Sequence, residues 1–184
     1  MNLQKKRRYS SDVNNVTNRL TTVLFIIYII ALAWILLFKL GVQFSYMEKR
    51  NVNLIPFGEL FLNGKIDAGE NLMNVVIFVP LGMYVGVLFS SWRSGKKFFF
   101  IFLMSLIVEG LQFIMAVGAF DITDLFTNTL GGIIGWMIFK ATEKIFGDRF
   151  KAQKFINLIA GLATALVILL LFLLKMNLLP IRYQ

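Results

Sequence analysis

The chain contains no cysteine and no histidine. Without cysteine there is no disulfide, no thiolate nucleophile and no zinc–thiolate site. Without histidine, the commonest general base and the commonest metal ligand are missing. Any chemistry must therefore run on carboxylates, hydroxyls, amides, Lys and Arg. Charge is sparse, at 16% of 184 residues, and lopsided: 19 Lys and Arg stand against 10 Asp and Glu, a formal net charge of +9. What fills the space is apolar. Hydrophobic residues make up 58% of the chain and the mean hydropathy is +0.73. A soluble domain of this length has no need of that fraction, whereas a small multi-pass membrane protein does. The basic residues lie beside apolar segments, as in a membrane protein of biased orientation, and no soluble basic domain exists to carry nucleic acid.

A spanning helix needs ~20 mostly apolar residues. Five segments qualify: Thr22–Val42, Leu72–Trp92, Phe98–Gly118, Leu125–Ala141 and Phe155–Leu174. Asn74 and Pro80 interrupt the second, and Asn128 with three glycines interrupts the fourth. The expected fold is all-α, a polytopic membrane bundle of five transmembrane helices in one domain over 22–174. A basic tail, 1–21, precedes it and a short tail, 175–184, follows. Gln43–Asn71 reads as a loop in the membrane interface, with Pro56 biasing Ile55 away from helix.

Orientation follows from Lys and Arg in the short loops. The N-terminal tail holds Lys5, Lys6, Arg7, Arg8 and Arg19 against Asp12. Arg93–Lys97 holds three basic residues and no acid, and the link after the fourth helix holds Lys144, Arg149, Lys151 and Lys154. Gln43–Asn71 and Ala119–Asp124 are acidic by comparison. The alternation puts the N-terminus inside and the C-terminus outside, although Lys175 and Arg182 run against it. The first apolar run continues past Ala31-Leu32-Ala33 to Phe38, as a retained anchor does and a cleaved signal peptide does not. A bacterial plasma membrane is the expected location.

Phe98–Ala116 carries a carboxylate where one is expensive. A charged group in hydrocarbon costs roughly 2.5–3.5 kcal/mol on the gentlest scales. Ser105, Glu109 and Gln112 follow i, i+4, i+7 spacing and share one helix face. Glu109 lies roughly 12–14 Å and Gln112 ~9 Å below the outer end of that helix. Asn74 opens the second helix at the outer side, and Asp121, Asp124 and Asn128 bracket the outer start of the fourth. Arg50 and Asn53 belong to the outer loop. Polar residues from separate segments thus meet in one leaflet. Structural roles compete for several of them: Asp124 as helix N-cap, Asn74 and Asn128 as interhelical hydrogen-bond partners, Ser105 bonding back to its own helix. Gly82 with Gly86, and Gly131 with Gly135, make small-xxx-small pairs on two helices running the same way, with Gly132 widening the face.

Four motifs in order carry a resemblance: Asn53-Leu54-Ile55-Pro56-Phe57; Asn74-Val75-Val76-Ile77-Phe78-Val79-Pro80-Leu81-Gly82; Ser105 with Glu109 and Gln112; and Asp121, Asp124, Asn128-Thr129-Leu130-Gly131-Gly132 and Gly135. Together, over residues 47–139, they resemble the VanZ-like family. The resemblance implies a small integral membrane protein of bacteria, typically Gram-positive, whose namesake is associated with resistance to the glycopeptide teicoplanin. It also implies that the family's polar positions fall here on Arg50, Asn53, Asn74, Glu109, Gln112, Asp121, Asp124 and Asn128.

Three functions fit such a cluster. The leading one is binding of an amphiphilic ligand in an outer-leaflet polar pocket: a lipid head group, a lipid-linked wall precursor or a lipoglycopeptide. Arg50 would meet its phosphate or carboxylate, and Glu109 would accept from its hydroxyl or amide. The second is a membrane-embedded enzyme with Glu109 and Asp121 or Asp124 as an acid/base pair. In a variant of that reading Asp121 and Asp124 hold Mg²⁺ as the cofactor. The third is transport with Glu109 as a proton relay, which five helices without a repeat support poorly unless a homo-oligomer completes the path. The orientation is open to direct measurement. Cys placed at Asn63 should react with an impermeant thiol reagent in intact cells and Cys at Ser94 should not; the reverse pattern would invert the topology and move the polar cluster to the other leaflet.

Overall fold

The computed structural model describes residues 3–38, 52–57 and 68–175, with side chains at 15–36, 52–57, 69–166 and 168–169. Arg50 and most of the expected outer loop lie outside the described residues. Five helices run through the rest: α1 (Leu3–Phe38), α2 (Ala68–Leu88), α3 (Ser94–Ile114), α4 (Ile122–Phe146) and α5 (Arg149–Lys175). Among the described residues, four of them contain stretches long and apolar enough to cross a membrane: Asn15–Leu36, Gly69–Leu88, Ser94–Ile114 and Ile122–Phe146. This is a helical membrane protein. The fifth span expected at Phe155–Leu174 falls on α5, which is a helix but not one of these four.

Several boundaries differ from the sequence expectation. The basic N-terminal tail continues the first helix, since α1 starts at Leu3. α4 is longer at both ends than Leu125–Ala141. Its N-cap is Asp121, not Asp124: the Asp121 side chain accepts from the Thr123 amide, while Asp124 sits in the first turn. Lys97, placed by sequence in an exposed link, belongs to α3 and is buried. The chain is also not wholly α. Val52–Asn53 (β1) pairs in parallel with Phe120–Asp121 (β2), in register Val52↔Phe120 and Asn53↔Asp121. Residues this far apart could not be paired from local pattern.

α2 and α4 are parallel and in backbone contact. A Cβ added to Gly131 would fall on the Val75 carbonyl oxygen, one on Gly135 on the Val79 carbonyl oxygen, and one on Gly82 on the Gly132 carbonyl oxygen. The contacts climb both helices together, which fixes their common direction. Gly86 faces the Phe139 ring, and Gly132 is pressed by Ile101 of α3. α4 is thus squeezed between α2 and α3. Lipid tails are as apolar as leucine, so close packing and interhelical hydrogen bonds must hold such helices together. Leu32 and Leu36 of α1, Phe78, Leu81 and Val85 of α2, and Ile101 and Val108 of α3 form the main core.

Polar contacts secure the ends. Pro80 deprives α2 of one backbone donor, and the Tyr28 hydroxyl of α1 donates to the nearby Ile77 carbonyl at 2.9 Å. At the α4–α5 turn, where Gly147 takes a left-handed φ of +60°, Arg149 donates to the Gly86 and Val87 carbonyls at 2.7 and 2.8 Å, satisfying the last turn of α2. α1 and α5 share a buried polar seam. Thr21 donates to the Thr17 carbonyl of its own helix at 2.9 Å and accepts from Gln153 at 2.7 Å and Asn157 at 2.9 Å.

The glycine contact yields a direct test. Gly135→Ala should overpack the α2–α4 interface at a cost of about 1–3 kcal/mol or more, seen as lost membrane accumulation and a lower melting temperature in detergent. Gly110→Ala, whose added Cβ meets nothing within 4 Å, should leave both unchanged. Equal behaviour of the two variants would contradict the backbone contact.

Candidate functional site

The last third of α3 and the first turns of α4 meet around Glu109, which is 1% exposed. Antiparallel packing through the short turn between them sets Glu109 level with Asn128. Asn128 Nδ2 donates to Glu109 Oε1 at 3.2 Å, and the Asp121 amide donates to Oε2 at 3.4 Å. In a capping box, an acidic residue three positions into the helix would take that N-cap amide. Here Glu109 of the neighbouring helix does so, and Asp124 is left for another partner: Asn74 Nδ2 of α2 donates to Asp124 Oδ1 at 2.8 Å. One carboxylate therefore ties α3 to α4 and another ties α2 to α4.

Above them lies the short ladder. Asp121 spends one oxygen on its helix N-cap, accepting from Thr123 at 2.7 Å, and the other on Asn53 Nδ2 at 2.9 Å. Asn53 Oδ1 in turn accepts from the Ile55 amide at 3.2 Å. The Phe57 amide donates to Thr123 Oγ1 at 3.0 Å, and the Phe57 ring meets Phe126 edge-on with centroids 6.2 Å apart. Asn53-Leu54-Ile55-Pro56-Phe57 is thus a cover fastened at both ends to the start of α4. Leu54 and Ile55 between the fastenings are exposed.

Not every expected residue joins. Gln112 is buried, but its Nε2 donates to the Leu36 carbonyl in the last turn of α1 at 3.0 Å. Its amide anchors α1. Ser105 does not bond back to its own helix; it donates to the Leu125 carbonyl of α4 at 3.1 Å, an oxygen that also accepts from Thr129 at 2.7 Å. Arg50 lies outside the described residues, two positions before β1. Thr123 joins the cover without having stood out in the sequence, where a lone threonine at a helix start carries no signal beyond capping.

The donor–acceptor balance is uneven. Glu109, Asp121 and Asp124 offer only lone pairs when ionised. Asn128 is 1% exposed, and its Oδ1 is buried without a hydrogen-bond partner among the described residues. Buried polar atoms are rarely left so. The cluster is therefore rich in acceptors and short of donors. Among the described residues no group of three or more Asp or Glu is arranged to hold a metal ion, and Asp121 has both oxygens engaged by protein donors.

Comparison with known proteins identifies the family of the chain. A family model described as VanZ/LLP1 matches residues 25–147, a stretch that begins within α1 and takes in α2, α3, α4 and every described residue of the cluster. Protein VanZ of Enterococcus faecium is 38% identical over 125 residues, 66% of this chain and 74% of that protein. No solved structure matches the chain significantly. The match reaches beyond the 47–139 marked by the motifs, into α1 on one side and to the end of α4 on the other. α5 stays outside it. With the family model covering well over half of its length, this chain belongs to the VanZ/LLP1 family.

Proposed function

We propose that this chain is a multi-pass protein of the bacterial plasma membrane that binds the polar head of an amphiphilic molecule at the Glu109–Asn128 cluster. The observation behind this reading is the pairing of a fully buried carboxylate with an amide oxygen that lacks a donor among the described residues. A site with surplus acceptors selects for a partner with surplus donors, such as the hydroxyls and amides of a sugar–peptide head. A lipid-linked wall precursor, a lipid head group and a lipoglycopeptide all combine such a head with an acyl or prenyl tail. Arg50, two positions from β1, is our candidate for an anionic group on the same molecule. Its guanidinium would bind phosphate or carboxylate in bidentate fashion.

Membership of the VanZ/LLP1 family supports the cell envelope as the setting and tolerance of a glycopeptide such as teicoplanin as the trait to measure. The cover formed by Asn53–Phe57 would then serve as the wall of the site nearest the membrane surface. Its exposed Leu54 and Ile55 suit contact with an acyl chain.

The test is Glu109→Gln in cells whose glycopeptide tolerance depends on this chain. The change keeps the shape, removes the charge and turns one acceptor oxygen into an NH2 donor, which Asn128 Oδ1, unpartnered among the described residues, can accept after an amide flip. Loss of one charge-assisted hydrogen bond, worth ~1.5–3 kcal/mol, should weaken binding roughly tenfold or more and lower tolerance toward that of cells lacking the protein, at unchanged abundance. Glu109→Ala should also reduce abundance, because the Asn128 amide and the Asp121 N–H lose their acceptor. Lys144→Gln, an exposed change at the far end of α4, serves as the neutral control. Full tolerance with the Gln variant at normal abundance would mean that the carboxylate only holds helices together, and the binding site would have to lie elsewhere.

A further inference from the structure

The other end of the α3–α4 pair holds a second cluster, opposite in sign. Lys97 stands roughly 18 Å along α3 from Glu109, at ~1.5 Å per residue. It is 7% exposed, a rare degree of burial for a lysine. Its Nζ lies 5.7 Å from the centroid of the Trp136 ring, and Lys140 Nζ lies 4.9 Å from the same centroid. Two ammonium groups are therefore gathered at one indole. Cation–π attraction helps each of them, but not their repulsion of one another. Neither lysine makes an ion pair among the described residues. The nearby acid, Glu143, pairs with Arg149 at 3.6 Å, and that guanidinium is held by the end of α2.

Two further facts point the same way. Trp136 Nε1 is buried and has no hydrogen-bond partner among the described residues. In addition, Lys97 sits in the first turn of α3, where the positive end of the helix disfavours a cation. That turn contains no acid, and the N-cap residue Arg93 makes no capping hydrogen bond. Two ammonium groups, an unused indole N–H and an uncompensated helix start thus share one region. What they lack is an anion.

We propose that Lys97, Lys140 and Trp136 form a binding site for the phosphate of an anionic phospholipid, in the leaflet that faces the α2–α3 and α4–α5 turns. Arg93 in the first of those turns and Lys96, Lys151 and Lys154 in the adjoining helix ends add positive charge there, so long-range attraction favours an anionic head. Basic pockets between membrane helices on the positively charged side bind such heads. Trp92, Phe89 and Phe100 form an aromatic group at the same end, with ring centroids 4.2–5.8 Å apart, as expected at the level of lipid head groups. The Trp136 N–H would donate to a phosphate oxygen and the two ammonium groups would flank it. This site is distinct from the acceptor-rich cluster around Glu109 and does not rest on it.

The experiment is native mass spectrometry of the purified full chain, titrated with phosphatidylglycerol, with phosphatidylcholine of the same acyl chains, or with inorganic phosphate. The wild type should retain phosphatidylglycerol at least tenfold better than phosphatidylcholine. Lys97→Gln with Lys140→Gln should abolish that preference, and Lys144→Gln should preserve it. Trp136→Phe keeps the ring and removes the N–H, so it should lower retention several-fold in a protein that still folds. It decides the matter where the double lysine variant fails to accumulate. A wild type without preference, or a Trp136→Phe chain that binds as the wild type does, overturns the proposal. Displacement of the lipid by millimolar inorganic phosphate overturns the lipid assignment in favour of a free anion.

Discussion

α2 and α4 touch backbone to backbone, and the positions of all other parts follow from that. Gly131 and Gly135 lie on the Val75 and Val79 carbonyls, and Gly82 lies on Gly132. With no side chains between them, the two helices cannot slide by a fraction of a turn without collision. Being parallel, they require α3 to run back between their ends, and Gly132 gives Ile101 of α3 a seat on the free face of α4. The register of three helices is thereby set. Glu109 arrives opposite Asn128 and Asn74 opposite Asp124. A shift of one helical turn, ~5.4 Å, would separate both pairs and leave buried charge without donors.

The two ends of this frame have opposite electrostatic character. At the Glu109 end the groups are acceptors, and helix α4 begins there, so its N-terminal dipole favours the carboxylates that gather round it. At the Lys97 end the groups are donors, and α4 nears its close with Lys140 and Lys144, where cations are favoured. α3 is inverted with respect to both. Its buried lysine lies at its positive end and its buried glutamate in its last turns. One helix thus works against its own dipole at each end, while its neighbour is compensated.

Much of this was legible in the sequence. The five apolar runs fall on the five helices of the described residues, four of which are long and apolar enough to cross a membrane, and the glycine spacing announced a close α2–α4 contact on two helices of the same direction. The carboxylate and amides converge as their shared depth suggested, because depth depends only on rise per residue and topology. Side-chain direction was not legible. Gln112 shares a helix face with Glu109, yet its amide turns to α1, where the Leu36 carbonyl accepts it. Asp121 displaced Asp124 as N-cap because the β1–β2 ladder holds residue 121 extended, and that pairing joins segments 68 positions apart. Lys97 was misplaced for a related reason. A short basic run reads as a solvated link, and only the packing of α4 against α3 buries its last member.

The α1–α5 seam has a consequence for how the chain is made. Asn157 reaches Thr21 across 136 positions of sequence, so the first helix enters the bilayer long before its polar partner has been synthesised. A hydroxyl waiting in hydrocarbon would ordinarily be a penalty. Thr21, however, donates to the Thr17 carbonyl one turn back in its own helix, and this bond forms as soon as the turn does. The early helix can therefore reside in lipid with its donor already satisfied. It keeps the oxygen lone pairs exposed as a docking point, and α5, made later, brings two amide donors that fit it.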